Sequence, residues 1–144
     1  MTDTLIPTAM NTVDDNGGLL NDFEYESQPS YTHRLNDESQ RVVGFVDELK
    51  AYEQAVYKIL RTERYEHIIY SWNYGIELKD LFGQPVAYVI PELERRITEA
   101  VMEDDRTESV SNFEFDTPSR GVVHVKFKAT SIFGETEFNT TVEI

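Results

Sequence analysis

Apolar residues recur every three or four positions at Leu49, Tyr52, Val56, Ile59 and Leu60, and that spacing predicts an amphipathic helix starting at Glu48. Asp47 stands before it as an N-cap. A second stripe, Leu93, Ile97, Ala100 and Val101, faces away from Glu94, Arg95, Glu99 and Glu103. It predicts another helix with Pro91 in its first turn, where a missing N–H costs nothing, and an end near Asp104–Arg106. Elsewhere the period is two. Tyr31–Leu35 and Arg41–Val46 flank a polar Asn-Asp-Glu-Ser-Gln run, which predicts a β-hairpin. Ser109–Phe115 puts Phe113 and Phe115 on one face, and a Thr-Pro-Ser-Arg-Gly turn follows. Val122–Thr130 then alternates Val123, Val125, Phe127 and Ala129 with His124, Lys126 and Lys128. Thr136–Ile144 sets Phe138, Val142 and Ile144 against Glu137, Asn139, Thr141 and Glu143.

Alternation of this kind predicts a sheet with one covered face and one wet face. The expected fold class is therefore α+β: an antiparallel sheet covered on one face by two helices, in the order β-β-α-α-β-β-β. Residues 31–144 form the single domain of this expectation. Nothing follows the last strand to cover its outer edge, and an unpaired edge is a template for another backbone. Its alternating acids are the usual protection against indiscriminate pairing. The functional reading is β-augmentation, in which a partner's arm completes the sheet, with Phe138, Asn139, Thr141 and Val142 at the contact.

Charge changes the picture of the N-terminal part. Residues 1–30 hold six acids and no Lys or Arg, with the turn-prone cluster DDNGG at 14–18, which reads as a solvated, partly disordered arm. Leu19, Leu20, Phe23 and Tyr25 form an apolar patch within it. That patch either folds back onto the domain or orders on a partner. Over 144 residues, 13 basic and 27 acidic side chains give a formal charge of −14. Such a charge repels nucleic acid and discourages self-association, so a monomer or weak dimer is expected. The apolar fraction of 40% is ordinary for a folded domain and argues against wholesale disorder. The longest apolar run, Val86 to Ile90, falls far short of the roughly twenty residues of a membrane span. The N-terminus has no basic region followed by an apolar stretch, so no secretory signal is expected. These features point to a soluble protein made and kept inside a cell.

Catalytic chemistry finds little support. There is no cysteine, hence no thiolate nucleophile, disulfide or thiolate metal site. His33, His67 and His124 fall in different elements without metal-ligand spacing, so neither metal nor cofactor is expected. A glycosidase needs two facing carboxylates, one kept protonated by apolar surroundings. Glu63 and Glu66 are the candidates, but Arg61 and Arg64 beside them would push a carboxyl the wrong way. Tyr65, Tyr70, Trp72 and Tyr74 could stack on sugar rings; burial of Trp72 and Tyr74 between helices and sheet is the simpler expectation.

The stretch from Ile59 to Pro85 is the most informative. The first helix ends in Leu60-Arg61-Thr62-Glu63-Arg64, the aromatics follow, and then comes Tyr74-Gly75-Ile76-Glu77-Leu78-Lys79-Asp80-Leu81-Phe82. In this order the elements resemble the sheath-initiator family, small baseplate wedge proteins of contractile phage tails, and within it the XkdS-like branch from PBSX-type prophages. The resemblance covers roughly Arg41 to the C-terminus. The family's stop is Thr-x-x-Gly-Glu-Arg-like, and its next segment reads Phe-Gly-x-x-Leu-x-x-Leu-Phe. Broader relatives continue with Glu-Pro-Arg, a charged wedge contact; Gln84-Pro85-Val86 stands here instead, without either charge.

The resemblance implies a structural role. Six copies would sit around the tail tube at the baseplate of a virion or tail-like particle assembled in the bacterial cytoplasm. The implied partners are the tail sheath protein, other baseplate wedge proteins, and the tail tube or hub. Glu63, Arg64, Leu81, Phe82, Gln84 and Pro85 become expected contact residues beside those of the last strand. Two other classes stay open: a generic acidic adaptor for a basic partner and, less favoured, a peptidoglycan hydrolase.

Overall fold

A computed structural model describes residues 30–36 and 38–144. The acidic arm expected over residues 1–30, with its Leu19, Leu20, Phe23 and Tyr25, lies outside the described residues apart from Ser30. The elements run β1 (Thr32–Asn36), β2 (Arg41–Val46), α1 (Glu48–Leu60), a 3-10 turn (Lys79–Leu81), α2 (Val86–Met102), β3 (Thr107–Ser119), β4 (Val122–Ser131) and β5 (Gly134–Glu143). This is the α+β order that the periodicity predicts. The strands divide into two antiparallel sheets, a β1-β2 hairpin and a three-stranded β3-β4-β5 sheet.

The helices form where the stripes predict. Asp47 caps α1, its carboxylate accepting from the Glu48 N–H at 2.8 Å. Tyr52, Val56 and Ile59 are buried, while Leu49 and Leu60 pack at the margin. On α2 the expected Leu93, Ile97, Ala100 and Val101 are buried and Val89 joins them. The start of α2 needs correction, because it begins at Val86 and not at Pro91. Pro85 occupies the N-cap at φ −62, and its carbonyl accepts from the N–H groups of Tyr88 and Val89 at 2.9 and 3.1 Å. That closes the first turn early. Pro91 falls inside the helix on its exposed side, where water can take the carbonyl its ring leaves without a donor.

The core lies between the two helices and one face of the three-stranded sheet. Val123, Val125, Phe127 and Ala129 are all buried, the inward set of β4 as alternation predicts. Phe113, Phe127 and Phe138 stack across the three strands with centroids 5.5 and 5.3 Å apart. Tyr52 meets Phe138 edge-on. Its hydroxyl lies 2.9 Å from Thr107 Oγ1, which itself donates to the Val101 carbonyl, so the tyrosine is the donor. Burial pushes that phenol above its ordinary value.

The hairpin stands apart from this sheet. Its outer strand is tied to α1 by one side chain: Gln54 accepts the Leu35 N–H at 2.8 Å and donates to the His33 carbonyl at 2.7 Å. The amide thus occupies the place of a neighbouring strand on β1. Val42, Val43 and Phe45 of β2 stay exposed.

Candidate functional site

β5 pairs with β4 in an unbroken register from Val122↔Glu143 to Ser131↔Gly134. Just past the strand, the Ile144 N–H donates to the Gly121 carbonyl at 2.7 Å, and this fixes the parity of the ladder. In an antiparallel pair, inward and outward backbone groups alternate. Even-numbered residues of β5 therefore bond to β4, while Glu135, Glu137, Asn139, Thr141 and Glu143 turn their N–H and C=O groups away from it. Among the described residues no strand pairs with that outer edge.

The opposite edge of the sheet is different. β3 pairs with β4 through three register shifts, at 107/109, 111/114 and 116/119, and carries Asn112 at φ 55 and Pro118 within the strand. Bulges and proline are devices that make an edge unfit for pairing. β5 has neither.

Side chains on the wet face of β5 are partly neutralised by β4. Lys126 reaches Glu137 at 3.6 Å, and Lys128 pairs with Glu135. Asn139 is exposed, and Thr141 shares a 2.8 Å hydrogen bond with His124 Nδ1. Phe138 is half-buried against the core and Val142 is buried, 7% exposed. Those two hold the strand down and leave Asn139 and Thr141 facing solvent.

The second candidate region is a closed loop. The Ile76 N–H donates to the Thr62 carbonyl and the Arg64 N–H to the Ile76 carbonyl, at 2.9 and 3.0 Å. Glu63 turns inward and accepts the N–H groups of Leu78 and Lys79, capping the 3-10 turn. Arg64 donates from Nε and Nη2 to the Gly75 carbonyl and from Nη1 to Glu99 at 2.7 Å. Gly75 sits at φ +94, and a Cβ there would lie 2.4 Å from the Thr62 carbonyl oxygen. The Thr-Glu-Arg stop is thus the clasp of an Ω-like loop.

The loop's contents correct the expectation for Trp72. It is 77% exposed, Ile68 and Ile69 are exposed as well, and of the loop's aromatics only Tyr74 is half-buried, stacked on Tyr70 with centroids 4.5 Å apart. With the loop ends clasped together, Tyr74 beside the clasp packs against the core, while Tyr65, Ile68, Ile69, Tyr70 and Trp72 stay outside it.

The remaining expected contact residues separate by burial. Leu81 is wholly inside the core and presents no side chain to a partner, whereas Phe82, Gln84 and Pro85 are exposed at the start of α2. Sequence reading passed over Arg96, which is buried and joins Asp80, Glu92 and the Glu77 carbonyl. It clips the 3-10 turn onto α2. Its signal was a cation within the stripe of Val89, Leu93 and Ile97, where only a paired charge is tolerated.

Sequence comparison bears on the whole domain. The family of contractile injection system sheath initiators matches residues 31–134, a span that ends where β5 begins. The phage-like element PBSX protein XkdS of Bacillus subtilis (strain 168) is 34% identical over 128 residues, covering 84% of this chain and 90% of that protein. The chain belongs to the sheath-initiator family of contractile injection systems.

Proposed function

From that membership we propose that the protein is a structural component of a contractile phage tail or tail-like particle. It sits in the tail baseplate and starts sheath assembly by lending the outer edge of β5 to a terminal arm of the first sheath ring. The observation that carries this reading is the contrast between the two sheet edges, one bulged and proline-bearing, the other continuous over ten residues. An arm laid along β5 would find outward backbone groups at every second residue from Glu135 to Glu143, the requirement for strand addition. Phe82, Gln84 and Pro85 supply an exposed surface for wedge neighbours.

The reading is not enzymatic. The Glu63 carboxylate, one of the two considered for hydrolysis, is taken up by the backbone N–H groups of Leu78 and Lys79, capping the 3-10 turn. A turnover assay on peptidoglycan should therefore show no activity.

The direct test places proline at an outward position. Asn139→Pro or Thr141→Pro removes an N–H that β4 does not use. The expected outcome is a folded protein, baseplates and tubes, and no polymerised sheath. Normal contractile tails built with a folded variant would defeat the proposal.

A further inference from the structure

A groove of about 730 Å³ lies between the β1-β2 hairpin, α1 and the first half of β5. Its apolar wall comes from Leu35, Val42, Val46, Tyr57 and Phe138. Its rim carries Arg34, Arg41 and Lys50, none of which forms an ion pair among the described residues. The acids of the same groove are engaged: Glu53 accepts from Thr136 at 3.0 Å and Glu137 meets Lys126. In a chain of net charge −14, this is a place where unpaired cations gather around an apolar trough.

We propose that the groove receives the chain's own segment Leu19–Glu26. The sequence Leu-Leu-Asn-Asp-Phe-Glu-Tyr-Glu holds three acids and no cation, the counterpart of the three cations on the rim. From Asp22 to Glu26 acids alternate with Phe23 and Tyr25, the pattern that sets aromatics toward a trough and carboxylates toward its edges. Reach is sufficient. Ser30 is fixed at the start of α1, where its Oγ accepts the Glu48 N–H at 3.2 Å, and Lys50 of the rim lies in the first turn of that helix. The residues from 19 to 26 lie four to eleven positions before Ser30, a span of roughly 13–40 Å when extended. Docking covers the apolar wall in the unassembled protein and lies against Thr136–Phe138 of β5. The inference stands whether or not β5 takes a sheath arm, because it concerns the isolated chain.

The absence of cysteine permits a clean test. A nitroxide on Asn21→Cys of the full-length chain should selectively broaden the amide signals of Leu35, Val42, Val46 and Phe138. The effect should vanish when Arg34, Arg41 and Lys50, all exposed, are changed together to Glu, with the dispersed spectrum of the folded domain retained. A 1:1 mixture of isotope-labelled protein without nitroxide and unlabelled protein with it separates self-docking from exchange between copies, and no broadening is expected there. Uniform broadening, broadening centred on the Tyr65–Trp72 loop, broadening in the mixture, or persistence after charge reversal would each overturn the proposal.

Discussion

Replacing Gly75 by Ala should be among the most damaging single-methyl changes in this domain, and Gly83→Ala supplies its control. Both glycines have positive φ, +94 and +78, so both substitutions carry the left-handed penalty of about 1–2 kcal/mol. The surroundings differ. A Cβ on Gly83 meets nothing within 4 Å, whereas one on Gly75 overlaps the Thr62 carbonyl oxygen at 2.4 Å. Relief demands a retreat of about 1 Å toward ordinary contact distance. That movement loosens the Ile76–Thr62 and Arg64–Ile76 hydrogen bonds, at about 1 kcal/mol each. The expected loss is about 3–4 kcal/mol for Gly75→Ala against about 1–2 for Gly83→Ala. With a urea dependence of about 2 kcal/mol per M, the midpoint of Gly75→Ala should fall by about 1.5–2 M, at least twice the shift of the control. Urea titration followed by far-ultraviolet circular dichroism reads both. Equal midpoints for the two variants would refute the clasp as the reason for glycine at 75.

Trp72, the sole tryptophan, should be quenched by acrylamide nearly as readily as free indole, and Trp72→Ala should cost less than about 1 kcal/mol; a shielded, blue-shifted emission would contradict its exposure. Arg96→Met should destabilise by about 1–3 kcal/mol, because the Glu77 carbonyl and the Asp80 and Glu92 carboxylates lose their shared donor; unchanged thermal stability would show that the clip contributes nothing. Hydrogen bonds from Arg96, Arg95 and Arg64 respectively hold the carboxyls of Asp80, Glu92 and Glu99 below the ordinary range. Lowered folded values mean that their stabilisation is present above the unfolded pKa and is lost as pH falls below about 4. Acid unfolding should therefore be less steep in Arg96→Met, and an unaltered acid profile would remove Asp80 from this account. Light scattering at micromolar concentration should find a monomer or weak dimer; a stable hexamer would contradict self-repulsion at −14.

Periodicity carried most of the fold into the sequence. The alternation of Val123, Val125, Phe127 and Ala129 named the buried face of β4 because each strand residue can face only one of two ways. The stripe on α1 was equally plain. What stayed hidden depended on contacts between segments distant in the chain. Nothing around Val86 announced the early start of α2, because the Pro85 carbonyl becomes a helix acceptor only once the chain has turned. The tie between the hairpin and α1 runs through Gln54, whose amide could as well have faced water. Glu63 and Arg64 were conspicuous as charges, yet their use as a clasp requires the Gly75–Lys79 backbone to return to them. Aromatic residues without a period, such as Trp72, gave no direction at all, and size alone led to the wrong side of the surface.

Because the clasp fixes residues 62–64 to 75–76, the ten residues between them are anchored at a constant gap whatever their composition. Tyr74 packs against the core and Asn73 bonds Glu103, but different side chains at the exposed tip, Ile68, Ile69 and Trp72, would leave the two anchoring strips and the core beneath them unchanged. The domain thus carries a socket in which the side chains of the projecting tip can be exchanged independently of folding.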